Sequence, residues 1–233
     1  QEAFDFVQRI NDENHGGHRD WRLPSREELF SLVSHRQINP SLPSHHPFHN
    51  VFPAYYWSST SCARLPDQAW YVHFGGGRVY RGMKHGSYML WPVRDAWEIA
   101  APPVPRFDAR GDSIGDRWSG RMWRRIPPCG REALDWQTAL AAVGTLRESR
   151  AGGYDDWRLP NIRELNSLVD LERHSPALPP GHPFDDLDEV YWSSTTSAYD
   201  PCYAWALYLV DGAVGVGFKA RSGFQALAVR SGL

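Results

Sequence analysis

The sequence predicts an α+β protein made of two tandem copies of one small domain, and three observations carry that prediction. An eight-residue phrase occurs twice, GHRDWRLP at residues 17 to 24 and GYDDWRLP at residues 153 to 160. Around each phrase, apolar residues recur at helical spacing, first before it and then after a helix-capping signal. Each copy then changes to alternating, strand-like patterning broken by glycine turns.

The register between the copies is 136 residues, Trp21 falling on Trp157, and it holds over a long stretch. Ala3, Val7 and Ile10 align with Ala139, Val143 and Leu146, and Glu28, Leu29, Leu32 and Val33 with Glu164, Leu165, Leu168 and Val169. After one deletion the register is 135, and Tyr56 to Thr60 (YWSST) matches Tyr191 to Thr195. Val93-Arg94 matches Val229-Arg230 near the end. A repeat this long is the size of a small domain and too long for a solenoid unit. The expected layout is a first domain at residues 1–95, a stiff Pro-rich linker at 96–105 (ending in AAPPVP, residues 100–105) and a second domain at 106–233.

In the first copy Ala3, Val7 and Ile10 lie on one helical face, and Gly16-Gly17 stops that helix because glycine takes the left-handed conformation freely. Ser25 and Glu28 form the S-x-x-E capping box of a second, short helix, and Asn161 and Glu164 keep the device in the second copy. Residues 36 to 55, rich in Pro, His and Asn, read as a long loop. Trp70, Val72 and Phe74 alternate with Tyr71 and His73 before a Gly75-Gly76-Gly77 turn; Trp205, Leu207 and Leu209 precede an Asp211-Gly212 turn. Residues 106 to 123 read as an opening hairpin without a counterpart in the first copy. In the resulting fold the opening strand is expected to pair with the closing one, so the closing strand of the first domain, residues 88 to 94, is expected to be an unpaired edge needing cover, with self-association through it as one route.

Composition narrows the function. The 233 residues carry a formal net charge of −2, which gives no whole-protein attraction to nucleic acid or to an anionic membrane. No apolar run approaches the roughly 18 residues that span a bilayer. The chain opens inside a helix pattern with no charged-then-apolar leader, which leaves what precedes Gln1 open. Cys62, Cys129 and Cys202 have no aligned partners and no C-x-x-C spacing, so thiolate zinc is not indicated, while one disulfide with a free thiol stays open. There is no G-x-S-x-G, no H-E-x-x-H and no phosphate-cradling glycine loop ahead of a helix. No cofactor is expected. His45, His46 and His49 resemble a metal cluster, but only His46 recurs, as His182, and a solvated loop is the better reading. Asp108, Asp112 and Asp116 have the spacing of an oxygen-ligand calcium loop without a closing Glu, which leaves calcium as a minor alternative. The DWRLP and YWSST phrases read as scaffold, with Arg22 and Arg158 reaching Asp20, Asp156 or loop carbonyls.

Taken together, the opening RF…GD…D…G-x-M-W pattern at 106–123, GGYDDWRLP with Glu164-Leu165, YWSST, Ala204-Trp205 and the closing Val229-Arg230 resemble the Lcl C-terminal domain. This is a bacterial domain of unknown function named for a collagen-like adhesin. Residues 1–95 match the same pattern apart from the hairpin. The resemblance implies tandem C-type-lectin-like domains, each with two helices and a small twisted antiparallel sheet. It implies an exported, extracellular or periplasmic, cell-surface location and binding of sulfated glycosaminoglycans. The same fold also hosts protein-binding modules and an oxidase that makes formylglycine, so fold does not decide function.

The copies diverge after YWSST and in the hairpin beyond, as a frame with variable loops does in a binding scaffold. The candidate ligand residues are Arg78, Tyr80, Arg81, Lys84, His85 and Tyr88 in the first copy, and Tyr199, Tyr203, Lys219 and Arg221 in the second. Strand alternation puts Arg78 and Tyr80 on one face and Arg81 on the other, with a turn expected near Gly82. Arg grips sulfate or carboxylate in a bidentate manner, and Tyr stacks on a sugar face. The expected function is therefore a non-enzymatic adhesin for an anionic glycan. Two readings stand beside it: a relative or accessory of the formylglycine-generating oxidases, and a diversified receptor module whose partner is a surface protein.

Overall fold

The computed structural model describes residues 2–95 and 105–232, and the chain divides into two compact units, residues 1–100 and 101–233. The protein is α+β with few helices and antiparallel sheets. Apart from Pro105, the expected linker lies outside the described residues.

The first unit opens with helix α1 (Glu2–Asp12), which buries Val7 and Ile10. Its stop comes earlier than the glycine pair: Asn14 already takes a left-handed conformation (φ 53°), and Gly16 follows at φ 64°. Asn tolerates that region because its short polar side chain bonds locally. Helix α2 (Arg26–Leu32) starts on the complete capping box of Ser25 and Glu28. A meander follows: β1 (Tyr55–Ser61), β2 (Gln68–His73) and β3 (Arg78–Met83), antiparallel throughout. Trp70, Val72, Phe74 and Val79 face inward and are buried. In the turn before β3, Gly77 sits at φ 89°, and a Cβ there would strike Val33.

The second unit adds an opening meander of β4 (Phe107–Arg110), β5 (Ser113–Asp116) and β6 (Arg121–Arg124). The two-stranded hairpin expected there is thus three-stranded. Helix α3 (Trp136–Glu148), capped by Asp135, and helix α4 (Ile162–Ser167), on the capping box of Asn161 and Glu164, come next. Strands β7 (Val190–Thr196), β8 (Tyr203–Tyr208) and β9 (Ala213–Phe218) repeat the β1–β3 arrangement. The core gathers Trp157, Leu159, Trp192, Ala139 and Val143.

Two expectations about strands need correction. The closing strand β10 (Val229–Ser231) pairs with β6, the last strand of the meander, not with the opening strand. In the first unit, residues 88–94 form no strand at all; Met89 bridges Tyr56, and Val93 bridges Arg22. Both backbone groups of Val93 bond Arg22, at 2.8 and 2.9 Å, so this segment is anchored at single points instead of presenting a long edge. Trp91 adds cover, its ring 4.8 Å from Phe48, 5.3 Å from Phe74 and 5.5 Å from Tyr56. In the second unit Trp123 of the meander packs near Phe184, the counterpart of Phe48.

Candidate functional site: the outer face of the first sheet

The repeated phrases are tied up in scaffold work. Arg22 holds Glu28 through two bonds (2.8 and 2.6 Å), and Arg158 holds Glu164 the same way (2.7 and 2.6 Å). Each Glu also accepts the backbone N–H of its helix cap, Ser25 or Asn161. Arg22 further binds Asp95. The expected pairing of these Arg residues with Asp20 and Asp156 is not formed; those carboxylates bind Arg94 and Arg230. In YWSST the Ser58 and Ser193 hydroxyls donate to Trp70 and Trp205 carbonyls, and Thr60 and Thr195 accept the first helical N–H of α2 and α4.

The calcium-loop carboxylates are likewise committed to arginine. Asp108 binds Arg110, Asp112 binds Arg124, and buried Asp116 binds Arg106. Among the described residues no group of three or more His, Cys, Asp or Glu is placed to hold a metal ion. The three thiols are free, Cys62 buried and Cys202 exposed, and burial and then Glu132 raise the Cys129 pKa.

What remains unengaged is the face of β1–β3 that points away from α2. The register sets Tyr71 opposite Tyr80 and Trp57, and His73 opposite Tyr55 and Arg78. Tyr88 arrives from beyond β3, its ring 4.5 Å from Trp57, 5.2 Å from Tyr71 and 5.7 Å from Tyr55. Tyr55 lies 4.9 Å from Tyr71 and 4.5 Å from His73. Tyr55 and Tyr80 keep 43% and 44% of their surface exposed, which is unusual for large rings, although the Arg81 guanidinium lies 4.7 Å over the Tyr80 ring. Arg78 is exposed and has no carboxylate partner among the described residues. Burial first, then the neighbouring phenols, raise the Tyr71 pKa, so its hydroxyl stays neutral. Burial, aided by the Arg78 charge, lowers that of His73 and keeps its imidazole neutral at pH 7.

The predicted residues divide on this geometry. Arg78, Tyr80 and Tyr88 share the aromatic face. Arg81, paired with Trp70 and expected on the other face, places its guanidinium 5.9 Å over the ring of Trp70 and 4.7 Å over that of Tyr80, at the edge of the cluster. The turn expected near Gly82 lies later: β3 runs through Gly82 to Met83, and Gly86 N–H closes the turn on Met83. Lys84 and exposed His85 sit in that turn, Lys84 lining a separate cavity. In the second copy Tyr199 is exposed, Tyr203 packs on Phe218 at 5.5 Å, and Arg221 is exposed. Lys219 is occupied, donating to Thr196 at 2.7 Å and lying 4.1 Å over Trp136. These four do not form one surface comparable with the first copy's.

Tyr55, Tyr71 and His73 were not among the predicted residues, although the signal was present. Alternation with buried Trp70 and Val72 already places Tyr71 and His73 outward. Position by position, the second copy has Val190, Ala206 and Gly215 where the first has Tyr55, Tyr71 and Tyr80, and Ala206 is fully buried. The rings are thus a property of one copy and not of the shared frame. A cleft of about 400 Å³ in the second unit, lined by Arg131, Ser175, Asp188 and Glu189, lies apart from all ten predicted residues.

A family model described as the Lcl C-terminal domain matches residues 1–94 and 112–230. No curated protein and no solved structure matches the chain.

Proposed function

Since the chain belongs to the Lcl C-terminal domain family and carries two tandem copies of it, we propose that it is a surface-exposed bacterial binding protein of C-type-lectin-like fold. Its first copy takes an anionic glycan on the aromatic face of β1–β3. The observation that carries this reading is the cluster of exposed Tyr55 and Tyr80 with half-buried Tyr71 and Tyr88, and with Arg78 at its margin. Ring faces cover the apolar C–H face of a pyranose, and a free guanidinium supplies the bidentate grip on sulfate or carboxylate. Rings already packed against one another lose little side-chain freedom on binding, so the cost of ordering is small. No helix among the described residues is long and apolar enough to cross a membrane. Export and surface location are thus part of the proposal and rest on the family.

The test replaces the platform with the second copy's own residues. Tyr71→Ala with Tyr80→Gly and, separately, Arg78→Ala are compared with the wild type on an array of sulfated, carboxylated and neutral glycans. Both variants should lose retention on sulfated glycans, and wild-type binding should fall steeply as salt rises past the range where the Debye length is about 8 to 10 Å. Undiminished binding by the double variant would overturn the assignment of the site.

A further inference from the structure

The cleft of about 400 Å³ in the second unit has apolar walls of Pro176, Leu187, Leu209 and Val210, with Arg131, Asp188 and Glu189 also lining it. We infer that it is a binding site for a free α-amino acid with an aliphatic side chain. Its charged groups are not used up by the protein itself. Among the described residues the Arg131 guanidinium donates only to the Leu187 carbonyl, at 3.2 Å, and pairs with no carboxylate. The Asp188 carboxylate accepts two amide N–H groups, from Gln225 at 3.2 Å and from Glu189 at 2.6 Å, and no cation. Glu189 has no ion pair among the described residues either. A guanidinium and two carboxylates thus share one cleft without neutralising one another.

Next to Asp188 lie two buried groups with unmet bonding. Gln225 is 3% exposed, and its amide oxygen has no partner although its amide N–H holds Asp188. Tyr191 is fully buried; its oxygen accepts the Asp188 backbone N–H at 2.6 Å, and its O–H donates to no group among the described residues. Burial, the largest cause, pushes this phenol well above its ordinary pKa, so it keeps its proton and remains a donor. A buried acceptor and a buried donor, each one hydrogen bond from Asp188, cost free energy until a partner reaches them. An ammonium suits the acceptor and the two carboxylates, and a carboxylate suits Arg131 and the Tyr191 hydroxyl. The walls suit an aliphatic side chain, and the volume is near the lower end of the roughly 300 to 1,000 Å³ of small-molecule sites. The first copy has the same frame without these groups. Pro53, Ala54 and Met89 stand where the second has Asp188, Glu189 and Gln225, and Tyr56 donates to the Phe52 carbonyl at 3.3 Å. The corresponding carbonyl, that of Leu187, is the one taken by Arg131. No residue of the first copy takes part, so this inference stands apart from the glycan reading.

Isothermal titration of the full chain with alanine, valine, leucine and methionine tests the site. Saturable binding of at least one is expected. The amide of the tightest binder, which lacks the carboxylate, and its deaminated acid, which lacks the ammonium, should each bind about tenfold or more weakly, the effect of losing one charge-assisted hydrogen bond. Arg131→Gln and Glu189→Gln should weaken binding by a similar factor. Gln225→Met, which installs the first copy's residue, should also weaken it about tenfold while holding or raising the thermal midpoint, because it removes an unpaired buried amide. Arg78→Ala, in the first copy, should leave binding unchanged. No saturation by any of the amino acids up to about 10 mM overturns the proposal. So does equal affinity for either stripped analogue, or undiminished binding by both Glu189→Gln and Gln225→Met. Weakening by Arg78→Ala and not by Glu189→Gln would move the ligand to the first copy, which also overturns it.

Discussion

The ion pair of Arg106 and Asp116 sets how strongly the opening meander holds the second unit together. Asp116 is fully buried and accepts four bonds: Arg106 at 2.9 Å through each oxygen, the Trp118 N–H at 3.1 Å and the Ser119 hydroxyl at 2.8 Å. Arg106 keeps 6% of its side chain exposed and lies between Phe107 and Trp118, 4.7 and 4.5 Å from their ring centres. Its guanidinium also donates to the Ser167 carbonyl, at the end of α4. Asp116→Asn keeps the shape but leaves the guanidinium charge buried and uncompensated, a loss of about 3 to 5 kcal/mol. For a unit of this size that lowers Tm by about 10 to 20 °C. Replacing both partners by apolar residues, Arg106→Met with Asp116→Ala, should recover most of the loss, because a buried pair is worth little against an apolar isostere. Acid gives a second readout. Burial pushes the Asp116 carboxyl up, but the bonds from Arg106 and Ser119 outweigh it and hold the group below the ordinary aspartate value. The unfolded chain therefore takes the proton first. The pair's contribution is whole above about pH 4 and is lost as pH falls toward the depressed folded value. Wild type should thus lose stability on acidification faster than Asp116→Asn. Urea unfolding followed by circular dichroism measures both. A loss under about 1 kcal/mol for Asp116→Asn, or no recovery in the double variant, would refute the reasoning.

Four further outcomes are expected. Gly217→Ala should destabilise the second unit by about 1 to 3 kcal/mol in the same assay, because the new Cβ would lie 2.5 Å from the Trp192 ring and against Phe224. Gly223→Ala, which meets nothing within 4 Å, should change stability by less than about 0.5 kcal/mol. Glu164→Gln should cost about 1.5 to 3 kcal/mol at neutral pH by breaking the fork with Arg158, and the gap from wild type should close as pH falls below about 4. Its folded carboxyl is depressed because Arg158 and the Asn161 N–H outweigh burial, so its stabilisation is lost on protonation. Glu28, held at about 2 chiefly by Arg22, should behave alike with a smaller amplitude, since that pair is more exposed and water screens it.

The sequence by itself determined the duplication, the helices and the scaffold role of the shared phrases. Those features rest on local physics. A capping box is written in four consecutive residues, Ser25 to Glu28 or Asn161 to Glu164, and period-two burial in β2 is visible as Trp70, Val72 and Phe74. The family resemblance rested on the same phrases, because their spacing is imposed by the bonds that Arg22 and Arg158 make across it.

Tertiary structure alone decided what lies far apart in sequence. Asp20 faces Arg94 across 74 residues, and no local rule prefers that partner to Arg22, two positions away. The extent of β3 was misjudged because Gly82 signals a turn locally, while pairing with Ala69 keeps it in the ladder. The sheet face that gathers Tyr55, Tyr71, Tyr80 and Tyr88 needs the register of three strands and the return of the chain beyond them. Local energies choose the elements, but which side chains meet is settled by long-range packing, where each contact gains free energy only after the chain between has been closed into a loop.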